Sequence, residues 1–402
     1  MKKAAVAALL LAAVLLAAGG IGKSGNTVSA EAQDKEAAED AERISQIDTS
    51  VPVAAGSRIA VVSKNVKGEF WDMVHSGMNA AVKDINTAFG LKGDDQINMT
   101  FEGPDDEQNV EEQVNTLDAV IAENPAVLCL SASDMDSCQA QIETANENGI
   151  PVIVFDSNVS GSELISAFRG TDNERVGELG AERMAEALGE TGKVVVFAAQ
   201  EKTESSKKRV DAFAEALAEY PDMELSEVIY MDQVEDMSAA MAETLEKTPE
   251  LDGVFCTNAD VADLYLGVEK NEEQQPVMIG VDATTKQQAA VEAGKEYGII
   301  SQDPCEMGYQ TILAALETLR LPGAETDTDN GGADEFEVSE DTEITGDIEL
   351  TADESQEIEE LPEDTPTAEI PQPAEKVSLL EPAWINADNM NDPANSNYIY
   401  KK

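Results

Sequence analysis

Six polar side chains stand at or just beyond the ends of short apolar runs, where a sheet protein places its chemistry. They are Ser63 after Ile59–Val62, Ser131 after Ala126–Leu130, Asp156 after Pro151–Phe155, Gln200 after Val194–Ala198, Asn258 after Gly253–Cys256 and Asp282 after Val277–Val281. In open parallel sheets small molecules bind beyond the carboxyl ends of the strands. Carboxylates accept hydrogen bonds, amides accept and donate, and hydroxyls do both, so such a set can line a cleft with hydrogen-bonding groups. Taken singly, each also reads as a helix N-cap. The recurrence along the chain is what points to a site.

Covalent catalysis has little to stand on. No Gly-x-Ser-x-Gly elbow and no phosphate-binding glycine loop occurs,. His75 is the one histidine, and no nucleophile accompanies it,. Cys129, Cys138, Cys256 and Cys305 lack the paired spacing of a zinc site,. Cys129 and Cys256 fall inside apolar runs, as buried thiols do, and one disulfide among the four stays open. Asp134-x-Asp136 lacks the turn glycine and distal glutamate of a calcium loop,. Neither cofactor nor metal is expected.

The elements that must position these residues alternate in type. Strand-like runs, including Ile97–Phe101 and Leu225–Tyr230, are separated by helical periods such as Phe70, Met73, Val74, Gly77, Met78, Ala81 and Ile85,. Buried continuous strands alternating with helices give an α/β fold with parallel, doubly wound sheets. There are more strands than one such sheet usually holds, so two similar lobes are expected, dividing near Arg169-Gly170.

Composition bounds the partners. The 402 residues carry 81 acidic and 26 basic side chains, a net charge of −55 at pH 7, which repels nucleic acid and anionic membrane surfaces alike,. Lys2 and Lys3 precede an apolar Ala- and Leu-rich run from Ala4 to about Ala18, which marks export,. Cleavage after Ala30 and retention as an anchor both fit, and position 20 is Gly, not a lipid-accepting Cys. The protein is therefore expected in the periplasm or at the cell surface.

Several segments stand out together: Gly68-Glu69-Phe70-Trp71, Asn148-Gly149-Ile150-Pro151 leading into Phe155-Asp156, Gly170-Thr171-Asp172-Asn173, Lys207–Phe213, Phe255–Asn258 with Asp260, Ile279–Asp282 and Ile299–Gln302. In this order and spacing they resemble the type I periplasmic sugar-binding proteins, including ribose- and galactose-binding proteins. The resemblance implies two Rossmann-like lobes joined by a three-segment hinge. It implies that Phe70 and Trp71 stack on the faces of a sugar ring, and that Asp156, Arg209, Asn258 and Asp282 form a polar ring, with Gln302 at a lobe crossover. Ser131 stands where ribose binders carry Asn, Ser157 where they carry a second Arg, and Val234 near a third aromatic, so pentose specificity does not carry over. A non-enzymatic, monomeric binding protein serving the membrane permease of an ABC importer follows. A sensing module for a membrane signalling partner and an exported carbohydrate-active enzyme are the alternatives. Against the enzyme, Arg209 beside Asp156 and Asp282 would keep both carboxylates ionised instead of raising one as an acid.

The expected division is 1–30 as signal peptide or anchor, 31–56 as acidic tether, 57–168 with 303–320 as the N-terminal lobe and 169–302 with 383–395 as the C-terminal lobe. Residues 321–375 hold 20 Asp and Glu and no Lys or Arg. They are expected to be a disordered insertion, because such a composition cannot bury enough apolar surface to offset ordering. The apolar stretch after it implies a return crossover at 376–382, with Trp384 and Ile385 buried in the fold.

Overall fold

The computed structural model describes residues 30–269, 275–321, 373 and 375–400, with side chains from 37 onward. The export segment and nearly all of the acidic stretch lie outside these residues. Within them, two six-stranded sheets form, each flanked by helices.

The first sheet contains β1 (Arg58–Val62), β2 (Asn98–Glu102), β3 (Val127–Leu130), β4 (Val152–Phe155), β5 (Ala167–Thr171) and β11 (Val377–Leu380), in the order β11-β5-β4-β3-β1-β2. The second repeats the pattern with β6 (Thr191–Ala198), β7 (Asp222–Tyr230), β8 (Gly253–Cys256), β9 (Val277–Val281), β10 (Gly298–Ser301) and β12 (Ala383–Ile385), in the order β12-β10-β9-β8-β6-β7. The first sheet is wholly parallel. In the second, β12 runs antiparallel to β10, pairing Trp384 with Ile300. The two α/β lobes inferred from the sequence are present, with this one antiparallel edge added.

The central strands are apolar throughout because both of their faces are covered. Ile59, Val61, Cys129 and Ile153 pack with one set of helices, whereas Ala60, Val62, Leu128, Leu130, Val152 and Val154 pack with the other. In the second lobe Val194 and Val196 lie in one core and Val195 and Phe197 in the next. The thiols of Cys129, Cys138 and Cys256 are buried. His75 stacks on Phe101 at 4.4 Å, away from the cleft described below.

The helices that matter to the site are α2 (Glu69–Phe89), α5 (Asn173–Leu188), α6 (Glu204–Leu217), α8 (Ala259–Gly267), α9 (Thr285–Glu292) and α10 (Pro304–Thr318). Between β2 and β4 run α3 (Val110–Ala122) and α4 (Gln139–Glu147), and α7 (Met237–Lys247) follows β7. The chain passes between lobes after Thr171, after Gln302 and at Glu381-Pro382.

Four boundaries differ from the expected division. The stretch 31–56 is not a plain tether: α1 (Ala30–Gln46) docks on the first lobe, with Arg43 Nε 3.2 Å from the buried Asp84 carboxylate. Val53 is buried as well. Acidic residues masked a helix whose docking uses that basic side chain, the pairing of Asp40 with Lys83 at 3.2 Å and the partial burial of Ile47 just beyond its end. The first lobe runs to Thr171 instead of 168, because β5 continues through the apparent break at Arg169-Gly170. Residues 377–380 are a strand of the first sheet, not merely a crossover. The second lobe's closing segment extends past 395 to Tyr400, which is 1% exposed. Ile385 is fully buried, and Trp384 is half-buried over Gly298, where a Cβ would meet its ring at 2.4 Å.

Candidate functional site

Between the lobes, at the carboxyl ends of both sheets, lies a cavity of about 250 Å³. Seven of the residues singled out in the sequence line it: Phe70, Trp71, Asp156, Arg209, Asn258, Asp282 and Gln302. Ser63, Ser131 and Gln200 do not. Ser131 lies one layer behind, fully buried, donating to Asp156 Oδ2 at 3.0 Å.

The aromatic wall comes from the first turn of α2. Gly68 precedes that helix at φ 100°, a conformation open to glycine that swings the chain from the strand end into the helix,. Phe70 and Trp71 meet edge to face, with centroids 5.0 Å apart,. Trp71 is 4% exposed, and its indole Nε1 donates to Glu107 Oε1 at 3.0 Å. The Lys64 ammonium stands 5.7 Å from the Trp71 ring centroid,.

The two aspartates occupy equivalent places. Asp156 follows β4 and Asp282 follows β9, each third from its sheet's edge and each with positive φ, 60° and 73°. The left-handed turn is one that Asp tolerates better than most residues. Asp156 Oδ2 lies 2.9 Å from Lys64 Nζ and accepts from Ser131 and Ser157 at 3.0 Å each. Burial works to raise the Asp156 carboxyl, but Lys64, with help from Arg209 and Ser131, holds it below the usual range. The carboxylate answers in kind, since burial opposes the Lys64 charge and Asp156 and Glu107 raise its affinity for the proton. Asp282 uses both oxygens. Oδ1 accepts from Gln302 Nε2 at 2.7 Å and from Tyr400 Oη at 2.9 Å, and Oδ2 accepts from the Ala259 backbone N–H at 2.9 Å, at the start of α8.

Arg209, expected beside Asp156 and Asp282, bonds to neither carboxylate. Its Nε donates to Asn173 Oδ1 and its Nη1 to the Thr257 carbonyl, both at 2.8 Å. Neutral acceptors thus anchor a guanidinium whose Nη2 has no protein partner among the described residues. Asn258 combines the two roles weighed in the sequence: its Oδ1 caps α8 by accepting from Val261 N at 3.0 Å, while the residue lines the cavity. Ser206, at the start of α6, also lines the cavity and has a buried hydroxyl with no partner. An unpaired buried donor facing a cavity is a ready contact for a ligand.

A hinge contact ties the frame to the site. Thr171, at the first crossover, donates to Gln302 Oε1 at 2.7 Å, and the Gln302 amide then reaches Asp282. Across the cleft Glu69 accepts from the Thr285 backbone N–H at 2.7 Å and from its hydroxyl at 2.9 Å. Ser157 and Ser205 share a hydrogen bond at 2.8 Å.

The profile of the periplasmic binding protein domain matches residues 59–324, more than half of the chain and both lobes. The chain belongs to the periplasmic binding protein family. It is 23% identical to the ribose import binding protein RbsB of Escherichia coli over 277 residues, 67% of this chain and 91% of that one. The D-apiose import binding protein of Actinobacillus succinogenes is 23% identical over 54% of this chain and 70% of that one. In three dimensions, an ABC transporter solute-binding protein from Agrobacterium vitis bound with α-D-tagatopyranose superimposes with a TM-score of 0.68 at 21% identity, covering 86% of this chain and 100% of that one. A second Agrobacterium vitis protein, with bound D-fucose, gives 0.65 at 22%, covering 85% and 100%.

Several cavity residues of this binding protein were not singled out in the sequence. Lys64 follows Ser63 directly, and a search of the second position past each strand would have found it. Glu107 and Asp263 lie among many surface acids that look alike in the sequence, and Asp260, though part of a segment that carries the resemblance, was not assigned to the site. Asp260 stands in the cleft mouth with its carboxyl pushed up to about 7, by burial first and then by the neighbouring charges of Glu107, Asp282 and Asp263. Among the described residues no group of three His, Cys, Asp or Glu side chains could hold a metal ion.

Proposed function

We propose that this periplasmic binding protein captures a sugar or sugar-like polyol between its lobes outside the cytoplasm and delivers it, chemically unchanged, to an ABC importer. The observation that carries the reading is the interlobe cavity itself. It joins an aromatic edge-to-face pair to charged and neutral hydrogen-bonding groups from both sheets, the combination that a ring with C–H faces and a rim of hydroxyls requires. Its volume of about 250 Å³ lies below the roughly 300–1,000 Å³ of pockets for drug-sized ligands, which suits one small solute,. Import binding proteins among the relatives, and sugar-bound solute-binding proteins among the structural neighbours, support the same class.

Ligand closing the two lobes shifts an open–closed equilibrium through contacts made to both. Asp156 and Arg209 then bind from opposite lobes, with Phe70 and Trp71 on the ring face. Native purification followed by mass spectrometry of the released small molecule tests the reading, together with titration of D-ribose, D-arabinose, D-fucose and D-tagatose. A recovered sugar or polyol, returned intact after incubation and quenching or enhancing Trp71 fluorescence on rebinding, is the expected result. A ligand of another class, or one altered by incubation, overturns it.

A further inference from the structure

We propose that Tyr400, carried in on a strap formed by residues 386–400, is a ligand-positioning residue that fixes how the Asp282 carboxylate faces the cavity. The inference rests on the solute-binding reading above and goes beyond it, because Tyr400 lies far from every motif that marks the cleft.

The strap is built, not draped. After β12, Asn389 Oδ1 accepts from the Asn386 N–H at 2.8 Å and its amide donates back to the Trp384 carbonyl at 2.8 Å, which turns the chain. A short helical turn, Pro393–Tyr398, follows. Ser301, at the end of β10, then donates to the Tyr398 carbonyl at 2.6 Å. Gln288 of α9 donates to the Tyr400 carbonyl at 2.8 Å, and the Tyr400 N–H reaches the carbonyl of Ala283, the residue after Asp282, at 3.2 Å. Three anchors on the second lobe thus bracket Asp282. From them the Tyr400 ring turns inward, 1% exposed, with its centroid 6.2 Å from that of Phe70 on the first lobe.

The phenol O–H donates to Asp282 Oδ1 at 2.9 Å, the same oxygen that the Gln302 amide reaches. A carboxylate offers about four lone-pair sites. Tyr400, Gln302 and the Ala259 N–H occupy three, so one is left for a ligand hydroxyl, and its direction is set by the other three. Burial and the neighbouring Asp282 charge push the phenol well above its ordinary range, so it stays a donor across the working pH range. Without that hydroxyl, Oδ1 regains a free acceptor site, the second on the carboxylate, and the carboxylate is free to turn. Discrimination between sugars that differ at the facing hydroxyl should fall.

The test uses the full chain with Tyr400→Phe, which keeps the ring against Phe70 and removes only the donor. Calorimetric titration with D-ribose, D-arabinose, D-fucose and D-tagatose should show about tenfold weaker binding of the best ligand, the worth of one hydrogen bond to a charged group. The spread of affinities across the four sugars should narrow. In a double-mutant cycle with Asp282→Asn the two losses should not add. Equal affinities in Tyr400→Phe and the parent protein, or strictly additive losses, would overturn the proposal. If the natively purified protein yields a ligand of another class, the sugar reading fails while the strap is still decided by the carboxyl carbon-13 resonance of Asp282, assigned by its loss in Asp282→Asn. That resonance should move in Tyr400→Phe, and a fixed position rejects the role.

Discussion

Asp156 and Asp282 hold the same place in the two lobes and the same left-handed backbone, yet they are held in opposite ways. In the first lobe three donors converge on one oxygen, one of them the Lys64 ammonium, and Oδ1 is left without a protein partner among the described residues. In the second lobe three neutral donors are spread over both oxygens and no ammonium or guanidinium pairs with the group. A buried charge can be balanced by an opposite charge or by a cage of dipoles, and the two solutions respond differently to damage. Removing one partner of an ion pair strands the other in a medium that penalises charge, whereas removing one of several dipoles leaves the rest in place.

The sharpest way to break this comparison is Lys64→Met. It should cost about 3–5 kcal/mol of stability in urea unfolding, the usual penalty for an uncompensated buried charge. Lys64→Met combined with Asp156→Asn should recover much of that loss. Asp282→Asn should cost only about 1–2 kcal/mol, because it turns one acceptor into a donor opposite the Ala259 N–H without stranding a cation. Equal losses for Lys64→Met and Asp282→Asn would erase the distinction drawn here.

A smaller effect is expected at Arg209, which stands between the two aspartates but bonds to neither. Arg209→Lys keeps the charge and loses the fork that holds Asn173 and the Thr257 carbonyl, so ligand affinity should fall about tenfold in calorimetry, or roughly 1.4 kcal/mol, with little change in stability. Unaltered affinity would show that the cavity reads only charge at this point.

The smallest effect is a pH slope. With Asp260 raised to about 7 in the fold and ordinary in the unfolded chain, the folded state holds an extra proton between roughly pH 4 and 7,. The stability this group contributes is therefore full at low pH and lost as pH rises through that window. Asp260→Asn should remove the slope, so the fall in Tm from pH 5 to pH 8 should be shallower than in the parent protein. Parallel pH profiles would mean that Asp260 titrates as an ordinary surface carboxylate.

Much of the frame is legible in the sequence because strand ends announce themselves: an apolar run buried on both faces must stop where polar groups begin, and the cleft sits there. Asp156 after Phe155 and Asp282 after Val281 could be placed on this ground alone, whereas after Val62 the cavity takes Lys64 and Ser63 turns back onto the Asn65 carbonyl. Arg209 could be placed but not paired, because the acceptors that anchor it, Asn173 and the Thr257 carbonyl, come from another helix and from a backbone group with no side-chain signature. Ser131 was placed at the right strand end but one layer too far forward, since the sequence gives the strand's end and not its depth. Tyr400 carried no periodic signal at all, because its strap takes its shape from hydrogen bonds to Ser301, Gln288 and Ala283 instead of from a regular element. The docking of α1 was hidden for a similar reason, its acidic surface reading as solvent-loving while Arg43 and Ile47 made the contact.

The Glu69–Thr285 bond across the cleft mouth has a kinetic consequence. A clasp formed between protein groups alone favours the shut state before any solute arrives, so the ligand need supply less of the free energy of closing. Entry is then limited by the fraction of time the clasp stands open, and the observed association rate is the encounter rate multiplied by that fraction. The same clasp lengthens residence once the solute is inside. A receiving membrane complex that pried Glu69 away from Thr285 would shorten that residence without touching the bound molecule, making unloading a property of the rim instead of the pocket.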